Sequence, residues 1–279
     1  MSRFLMSLAA RLPLAVLHAM GALLGWMMYG LSPTYRHYLR DNLEAAGYRD
    51  ARTRRAAIAG AGRLLAELPL VWLRPRAEVT ALVRRIDGRE HVDRARAAGQ
   101  GIVFLTPHLG CFEVAAQVAA EHFPITVLYR PPKIDWMQPM IEEGRGQDNV
   151  RLARADLSGV RELLAALGRS ETVGILPDQV PGEGEGEWVE FFGKPAYTMA
   201  LAAKLAARPR SVCLLAFGER LPGGAGFVLH VRPLPAAEPG ENETRRMNRA
   251  LEALIRECPG QYLWGYNRYK TPRGATDKP

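Results

Sequence analysis

Cysteine is scarce in this chain, and the signature motifs of several enzyme classes are missing. The 279 residues contain three cysteines, Cys111, Cys213 and Cys258, which lie far apart and show no CxxC spacing. An odd number of well-separated cysteines favours a reduced cytosolic setting over a disulfide framework or a metal site. The chain also lacks a Walker loop, GxGxxG, HExxH and the G-x-S-x-G elbow of serine esterases.

Acidic residues are fewer than basic ones. Asp and Glu number 29 against 37 Lys and Arg, which gives a formal net charge of +8. The excess of arginine predicts an anionic partner, which can be a phospholipid surface, an acidic protein or a nucleic acid. No signature of a nucleic-acid-binding fold accompanies the charge, so a nucleic-acid partner is not predicted. The length suits one large domain or two small ones.

Charged residues are absent from one N-terminal stretch, residues 12–31. About 20 apolar residues is the length that spans a bilayer as a helix. Trp26 and Tyr29 lie toward one end, where an interfacial aromatic belt would be. The pattern predicts a membrane anchor helix over residues 1–33. A helix that lies in one leaflet and a helix inside a soluble core remain as alternatives.

The next region, residues 34–83, has the pattern of helices. One is predicted over residues 35–47 and a longer one over residues 51–73, where apolar positions alternate with arginines. Residues 1–60 hold eight arginines and three acidic residues. Such a basic helical region beside an apolar helix suits an anionic membrane surface. An ordinary helical region with a solvated charged face fits the pattern equally well.

From residue 84 onward, short apolar runs alternate with helical segments. This alternation predicts an α/β domain over residues 84–279, with a mostly parallel or mixed sheet flanked by helices. The last two predicted strands form a hairpin that turns at Gly223-Gly224. In such sheets the functional site lies at the carboxyl ends of the strands. The predicted strands are residues 85–87, 101–105, 125–129, 150–152, 173–176, 211–217 and 227–231.

Candidate chemistry falls on the turn after the strand at residues 101–105. His108 lies on this turn, Gly110 lets it be tight, and Glu113 falls in the first turn of the helix that follows. A carboxylate bonded to one imidazole nitrogen fixes the tautomer and raises the basicity of the other nitrogen. The spacing therefore predicts that Glu113 orients His108 as a general base. The alternative is a solvated histidine and a glutamate favoured by the helix dipole.

Polar residues also follow two further predicted strands. Arg130 comes directly after residues 125–129, and Asp178 and Gln179 come after residues 173–176. Because carboxyl ends of parallel strands meet at one edge of a sheet, these residues are predicted to share a site with His108.

Several motifs, taken in order, resemble the lipid A late acyltransferases, the lauroyl/myristoyl acyltransferases of the HX4(D/E) acyltransferase superfamily. The resemblance covers nearly the whole chain, starting with the N-terminal apolar helix. It implies a glycerolphosphate-acyltransferase-like α/β fold. The motifs are Gly88-Arg89-Glu90-His91, His108 to Glu113, Tyr129-Arg130-Pro131, Leu176-Pro177-Asp178-Gln179, Phe191-Phe192-Gly193-Lys194-Pro195-Ala196 with Thr198, and Gln261-Tyr262-Leu263-Trp264 followed by Arg268 and Lys270-Thr271.

This resemblance implies transfer of a fatty acyl group from acyl carrier protein to a hydroxyl of a hydroxyacyl chain on a lipid A precursor. It implies no metal and no nucleotide cofactor. His108 and Glu113 would be the catalytic pair. The implied partners are acyl carrier protein, the lipid A precursor and inner-membrane phospholipid. The implied location is the bacterial inner membrane, with the catalytic domain facing the cytoplasm.

The substrate contacts implied by the resemblance involve four residues. Backbone N–H groups near Gly110, or Arg130, would stabilise the oxyanion. Arg130 would alternatively hold a phosphate. Asp178 would position Arg130 or a backbone turn, and Gln179 would contact substrate beside it. Three aromatic residues are candidates for the acyl groove, with burial in the core as their alternative: Trp188, Phe191 and Phe192.

Other functions remain open from the sequence. A related acyltransferase could use another envelope glycolipid or a phospholipid as acceptor, and a thioesterase would use water. A non-catalytic membrane-surface protein would keep the His108 and Glu113 pair for structure alone. Cys111 lies inside the motif, so it is either a thioester-forming nucleophile or a buried spectator thiol.

Overall fold

A seven-stranded sheet with helices on both faces forms the centre of the computed structural model, which describes residues 3–131, 138–146 and 148–275. A separate two-stranded hairpin, β6–β7, lies beside it. The strands are β1 Val83–Asp87, β2 Gly101–Leu105, β3 Ile125–Tyr129, β4 Val150–Arg154, β5 Thr172–Ile175, β6 Gly186–Phe191, β7 Lys194–Met199, β8 Ser211–Arg220 and β9 Phe227–Pro233.

The described part of the chain also forms eleven α-helices, five of them before the first strand. The helices are α1 Arg3–Ala10, α2 Leu14–Leu31, α3 Pro33–Ala45, α4 Ala51–Leu73, α5 Arg76–Thr80, α6 Arg89–Ala97, α7 Phe112–His122, α8 Gln138–Arg145, α9 Leu157–Gly168, α10 Ala200–Ala206 and α11 Glu243–Glu257.

The strand order of the large sheet is β1-β9-β8-β2-β5-β3-β4. Strands β8, β2, β5, β3 and β4 run parallel to one another, whereas β9 pairs antiparallel with β8. The predicted α/β class and the terminal hairpin are therefore confirmed. Because β2, β5 and β3 are adjacent, their carboxyl ends meet at one edge of the sheet.

Strand β2 shows why these residues form the centre of the sheet. All five of its residues are buried, as expected for a strand covered by helices on both faces. Ile102 and Phe104 point to the face covered by α6 and α7. Val103 and Leu105 point to the opposite face, which packs against α9, α10 and α11. The alternation follows the two-residue period of a strand.

Helix α2 lies along α4 with their backbones in contact. An added side-chain carbon on Gly25 would lie 2.1 Å from the carbonyl oxygen of Ile58, and one on Gly62 would lie 1.9 Å from that of Gly21. Glycines at these positions therefore permit a backbone approach that any larger residue prevents. One face of α2 is fixed to the rest of the protein along most of its length.

The opposite face of α2 is open and apolar. Helices α2 and α4 are both long and apolar enough to cross a membrane, but 67% of the α4 window is buried against 28% of the α2 window. Helix α4 is thus a core helix, while α2 presents large apolar side chains outward. Together with α1 it exposes Leu5, Leu8, Val16, Met20, Leu23, Leu24, Trp26, Met27 and Leu31.

The hairpin β6–β7 extends into a segment whose sequence indicates a helix. The small residues over 198–207 have a helical pattern, but residues 198 and 199 belong to β7 and α10 begins at Ala200. The two strands are joined by Phe192 and Gly193, whose φ angles are +46° and +74°. Positive φ at both central residues is typical of the tight turn that matches strand twist.

The sequence pattern also indicates a helix over residues 134–144. Its start lies outside the described residues, and α8 ends at Arg145.

Candidate active site

Three strand ends bring the candidate polar residues to one edge of the sheet. His108 follows β2, Asp178 and Gln179 follow β5, and Arg130 follows β3. Strand β5 lies between β2 and β3 in the sheet. The predicted assembly of these residues at the carboxyl ends of the strands is therefore confirmed.

Asp178, and not Glu113, is the carboxylate bonded to His108. The imidazole Nδ1 of His108 lies 2.8 Å from Oδ1 of Asp178, and the His108 backbone N–H donates to Oδ2 at 2.9 Å. Asp178 is 2% exposed. The predicted pairing of His108 with Glu113 is wrong. Of the two roles predicted for Asp178, holding a backbone turn is the one observed, since it accepts the N–H of His108, while Arg130 lies by Glu185. A spacing of five residues could not reveal a partner 70 residues away.

The pair fixes the protonation of the imidazole. An ionised carboxylate only accepts hydrogen bonds, so the proton on Nδ1 donates to Asp178 and Nε2 keeps its lone pair. The amide Nε2 of Gln179 lies 3.1 Å from this Nε2 and donates to it. The basic atom of His108 is thus Nε2, on the side of the ring away from Asp178, and the side-chain amide of Gln179 is hydrogen-bonded to it.

Asp178 is held in its ionised form. Burial opposes ionisation, but the interaction with His108, including its two hydrogen bonds, outweighs burial and lowers the pKa of Asp178. The Tyr262 hydroxyl lies beside the same carboxylate; burial, with the charge of Asp178 next, raises the pKa of Tyr262. Tyr262 therefore stays a neutral donor, and it belongs to the motif Gln261-Tyr262-Leu263-Trp264, to which the sequence had assigned no contact with the site.

Gly110 shapes the turn, as predicted, but does not offer its N–H to a ligand. Its φ is +60°, and a side-chain carbon would lie 2.0 Å from the carbonyl oxygen of Gly218. Its N–H donates to the carbonyl of Gln261 at 3.1 Å, and the N–H of Cys111 donates to Gly218 at 2.8 Å. The N–H groups of Gly110 and Cys111 are therefore bonded within the protein, and the oxyanion role of backbone N–H groups near Gly110 stays a prediction.

Glu113 instead binds Arg145 of α8. Both carboxylate oxygens accept from the guanidinium Nε, at 3.0 and 3.1 Å, and Nη2 donates a further short bond to Oε1. Glu113 is buried at 7% exposure. Because Arg145 also lies over the Trp72 ring, its guanidinium is held in one place by Glu113 and Trp72. Sequence reasoning missed Arg145, since nothing in its local pattern separates it from a surface arginine.

Arg130 is less constrained than Arg145. Its side chain is 62% exposed, and its partner is Glu185, 3.8 Å away. An exposed ion pair of this length is worth little, so the guanidinium can turn to a ligand at low cost. Arg130 and Arg145 place two guanidinium groups at the site, and the N-terminus of α7 adds a partial positive charge.

A long apolar cavity opens at this site. Its volume is about 460 Å³, and it runs between the sheet and helices α6 and α7. His108, Glu113 and Gln179 line one end, and Ile125 and Phe123 lie at the other end of β3 and α7. Since α7 has 11 residues, the cavity follows about 16 Å of helix. Its middle is lined by Phe104, Ala115, Ala116, Val118, Ala119, Val127, Ala216 and Leu229.

The aromatic residues predicted for the acyl groove do not line this cavity. Phe191 and Phe192 are 2% and 5% exposed and pack in the core on the opposite face of the sheet. Phe192 contacts Trp264, and Trp188 packs on Tyr197 within the hairpin. Burial in the core, the alternative assignment, is therefore observed for Phe191 and Phe192, whereas Trp188 is only partly buried on the hairpin.

Cys111 lies on the turn but away from the cavity. It is 1% exposed, and its thiol lies near the buried carboxylate of Glu67. Burial, together with the negative charge of Glu67, raises the pKa of Cys111 well above its ordinary value. A thiol held protonated is a poor nucleophile. Among the described residues, no group of three His, Cys, Asp or Glu residues is placed to hold a metal ion.

A base with a fixed lone pair, two cations and a long apolar cavity together suit one class of reaction. The base can take a proton from a hydroxyl, the cations can meet negative charge, and the cavity can hold a hydrocarbon chain. The fold and site define an acyl-transfer enzyme.

The chain belongs to the bacterial lipid A biosynthesis acyltransferase family, whose model matches residues 2–271. It is 27% identical to the lipid A biosynthesis lauroyltransferase of Escherichia coli (strain K12) over 285 residues, which cover 97% of this chain and 91% of that protein. It is 26% identical to the lipid A biosynthesis palmitoleoyltransferase of the same strain, over 94% of this chain and 87% of that protein. The predicted family and enzyme class are thereby confirmed.

We predict that Cys111→Ser retains acyl transfer within about threefold of the wild type, since the thiol is buried, protonated and outside the cavity. The measurement is the steady-state rate of acyl transfer by the purified variant. In the same experiment iodoacetamide should leave Cys111 of the native wild-type protein unmodified, as followed by mass spectrometry. Loss of transfer with trapping of an acyl group on Cys111 would contradict this assignment.

Proposed function

We propose that this protein transfers a fatty acyl group from the thioester of acyl carrier protein to a hydroxyl of a hydroxyacyl chain on a lipid A precursor. The observation that carries the proposal is the imidazole Nε2 of His108, left as a base by Asp178, at the mouth of the apolar cavity. The two relatives from Escherichia coli are named for transfer of lauroyl and palmitoleoyl groups in lipid A biosynthesis. A cavity of this shape suits such chains.

The reaction begins when the acceptor hydroxyl replaces Gln179 at Nε2 of His108. The imidazole takes the hydroxyl proton, and Asp178 stabilises the imidazolium that results. The alkoxide oxygen attacks the thioester carbonyl carbon and forms an oxyanion. When the carbonyl re-forms, the carbon–sulfur bond breaks, and the thiolate takes the proton from the imidazolium. The enzyme returns to its starting state with no group attached to it.

Arg145 and Arg130 are the cations that bind the negative charges of this reaction. Arg145 is held by Glu113 beside His108 and is placed to stabilise the oxyanion. Arg130 is exposed at the rim and is suited to a phosphate of the acceptor or the donor. In this proposal Glu113 acts through Arg145 rather than through His108.

The acceptor reaches the site from a membrane surface, which we place at the exposed apolar face of α1 and α2. That face holds large side chains such as Leu23, which is 68% exposed. Since the other face of α2 is fixed to α4, we propose that α2 lies in one leaflet rather than crossing the bilayer. Met6 of α1 packs in one cluster with Ile141 of α8, the helix that carries Arg145. This packing supports a lipid-facing surface near the site. We propose that it lies on the cytoplasmic side of the inner membrane, where acyl carrier protein is available.

The catalytic assignment predicts different effects for the two carboxylates. His108→Ala should lower kcat by about 10²–10⁴-fold, the range of general-base catalysis. Asp178→Asn should lower kcat by about 10²-fold, because an asparagine amide can donate to Nδ1 and move the imidazole proton to Nε2. Glu113→Gln should also lower activity, through Arg145, but leave the imidazole tautomer unchanged.

The measurement combines transfer from acyl-carrier-protein thioesters to a lipid A precursor, followed by mass spectrometry of the product, with ¹⁵N NMR of the His108 ring. Wild-type protein that adds no acyl chain to lipid A precursors would sink the proposed function. A tautomer that changes in Glu113→Gln but not in Asp178→Asn would contradict the roles of the two carboxylates.

The cavity predicts which donor the enzyme prefers. Ala119→Leu adds three carbon atoms to the far half of the cavity and should shorten the preferred acyl chain by about two to three carbons. Transfer of the shorter chain should stay close to the wild-type rate. Ala165→Leu, at an exposed position of α9, is the control and should not change the preference. Unchanged chain length in Ala119→Leu would show that the chain binds elsewhere.

The membrane assignment predicts that Leu23→Glu weakens binding to vesicles of anionic phospholipid by at least about tenfold, because a leucine contributes about 1.5–3 kcal/mol when buried. Leu157→Glu is the matched control, since Leu157 is 77% exposed on α9 and lies outside the apolar face. Binding is measured by co-sedimentation. Equal binding of both variants would place the membrane contact on another surface.

A further inference from the structure

A buried ion pair lies directly behind the His108 turn. The guanidinium Nε of Arg220, on β8, donates to both carboxylate oxygens of Glu67, on α4, at 2.8 and 2.9 Å. Arg220 is 5% exposed and Glu67 is 0% exposed. Burial disfavours the charge of Glu67, but the charge of Arg220 and bonds from Arg220 and His18 lower its pKa all the same. Both groups are therefore charged inside the protein.

Arg220 also holds the turn itself. Its Nη2 donates to the carbonyl oxygen of Gly110 at 2.8 Å. Its backbone N–H and C=O bond the side-chain amide of Gln261, at 2.9 and 3.1 Å. The backbone carbonyl of Gln261 in turn accepts the N–H of Gly110. Both polar backbone atoms of Gly110 are thus held by Arg220 or by the residue that Arg220 holds.

The same ion pair reaches the lipid-facing helix. His18 of α2 lies with its Nε2 2.5 Å from Oε1 of Glu67, and its ring is 7% exposed. The buried thiol of Cys111, the residue after Gly110, is near enough to Glu67 for the charge of that carboxylate to raise the pKa of the thiol. The Glu67 carboxylate thus links α4 to α2 and β8, and through Arg220 it reaches the turn that carries His108.

Stability alone does not account for this arrangement. Replacing a buried ion pair by apolar residues of similar volume is often neutral or stabilising. Within the described residues, Nη1 of Arg220 has no hydrogen-bond partner, which adds to the cost of burying the guanidinium. What the pair supplies is a fixed position for a turn whose glycine is held in the left-handed region.

We propose that Arg220 and Glu67 are positioning residues, which hold the carbonyl of Gly110 so that His108 stays aligned with Asp178 and with the cavity, and that His18 makes α2 part of this support. The proposal rests on the proposed function for its kinetic consequence. A misplacement of about 1 Å at a reacting group can cost about 10²-fold in rate, so a support two residues from His108 acts on kcat without touching substrate.

The kinetic test uses the full-length protein in phospholipid vesicles. Arg220→Lys keeps the charge but loses the fork that reaches both Glu67 and Gly110, and it should lower kcat by about 10- to 100-fold while KM for the acyl donor stays within about twofold. Arg249→Lys, in an ion pair of α11 with Glu241, is the matched control and should keep the wild-type kcat. Wild-type kcat in Arg220→Lys would overturn the proposal.

A paired substitution separates positioning from the cost of an uncompensated charge. Glu67→Gln combined with Arg220→Gln removes both charges, so the variant need not unfold. Thermal unfolding gives the folded fraction of this double variant. Its kcat per folded molecule should fall by as much as in Arg220→Lys. A double variant that folds and keeps the wild-type kcat would show that the pair is only structural. His18→Leu should lower kcat in the same direction, and an unchanged kcat would remove α2 from the support.

Hydrogen exchange tests the support without any substrate. Amide exchange in the peptide that contains residues 108–111 should become at least about tenfold faster in Arg220→Lys and remain unchanged in Arg249→Lys. Unchanged exchange in Arg220→Lys would overturn the proposal. If the wild type transfers no acyl group while this exchange still rises, the proposed function fails and the support of the turn stands.

Discussion

The hydrogen bond between His108 and Asp178 depends on the pairing of β2 with β5, and the site depends on that bond. The two residues are 70 positions apart along the chain, yet their strands are parallel neighbours, so the turns that follow them meet. The carboxylate is buried and charged because His108 donates to it twice. If the register of these two strands slipped by one residue, His108 would lose the hydrogen bonds to Asp178 that orient its ring and leave Nε2 basic.

Buried and exposed charged residues have different roles in this protein. The buried carboxylates of Asp178, Glu113 and Glu67 each face a different cationic or polar partner, and each partner lies on another element of the fold. Such pairs cost desolvation, so each fixes a geometry more than it adds stability. By contrast, Arg130 at the rim is exposed and weakly paired. The interior charges set the shape of the site, and the exposed charge is left for a ligand.

Apolar side chains form two separate surfaces, one inside the protein and one outside. The cavity between the sheet and helices α6 and α7 is lined mainly by apolar side chains, and His108 lies in its wall. The outer face of α1 and α2 is open, although it is as apolar as a core. Large exposed apolar surfaces on a folded protein usually mark an interaction site. A lipid substrate explains both features, since its acyl group needs an interior cavity and its acceptor needs a membrane nearby.

The sequence by itself determined the α/β class, the position of β2 and α7, the tight turn at Gly110 and the meeting of His108, Asp178, Gln179 and Arg130, because periodicity and strand ends are local properties. The catalytic role of His108 stays a prediction until it is measured. Only the tertiary structure decided that Asp178 rather than Glu113 orients the imidazole, that Arg145 enters the site and that Phe191 and Phe192 fill the core. These outcomes depend on which strands are neighbours, on a two-residue turn and on helices brought together from distant parts of the chain, and no local spacing encodes such contacts.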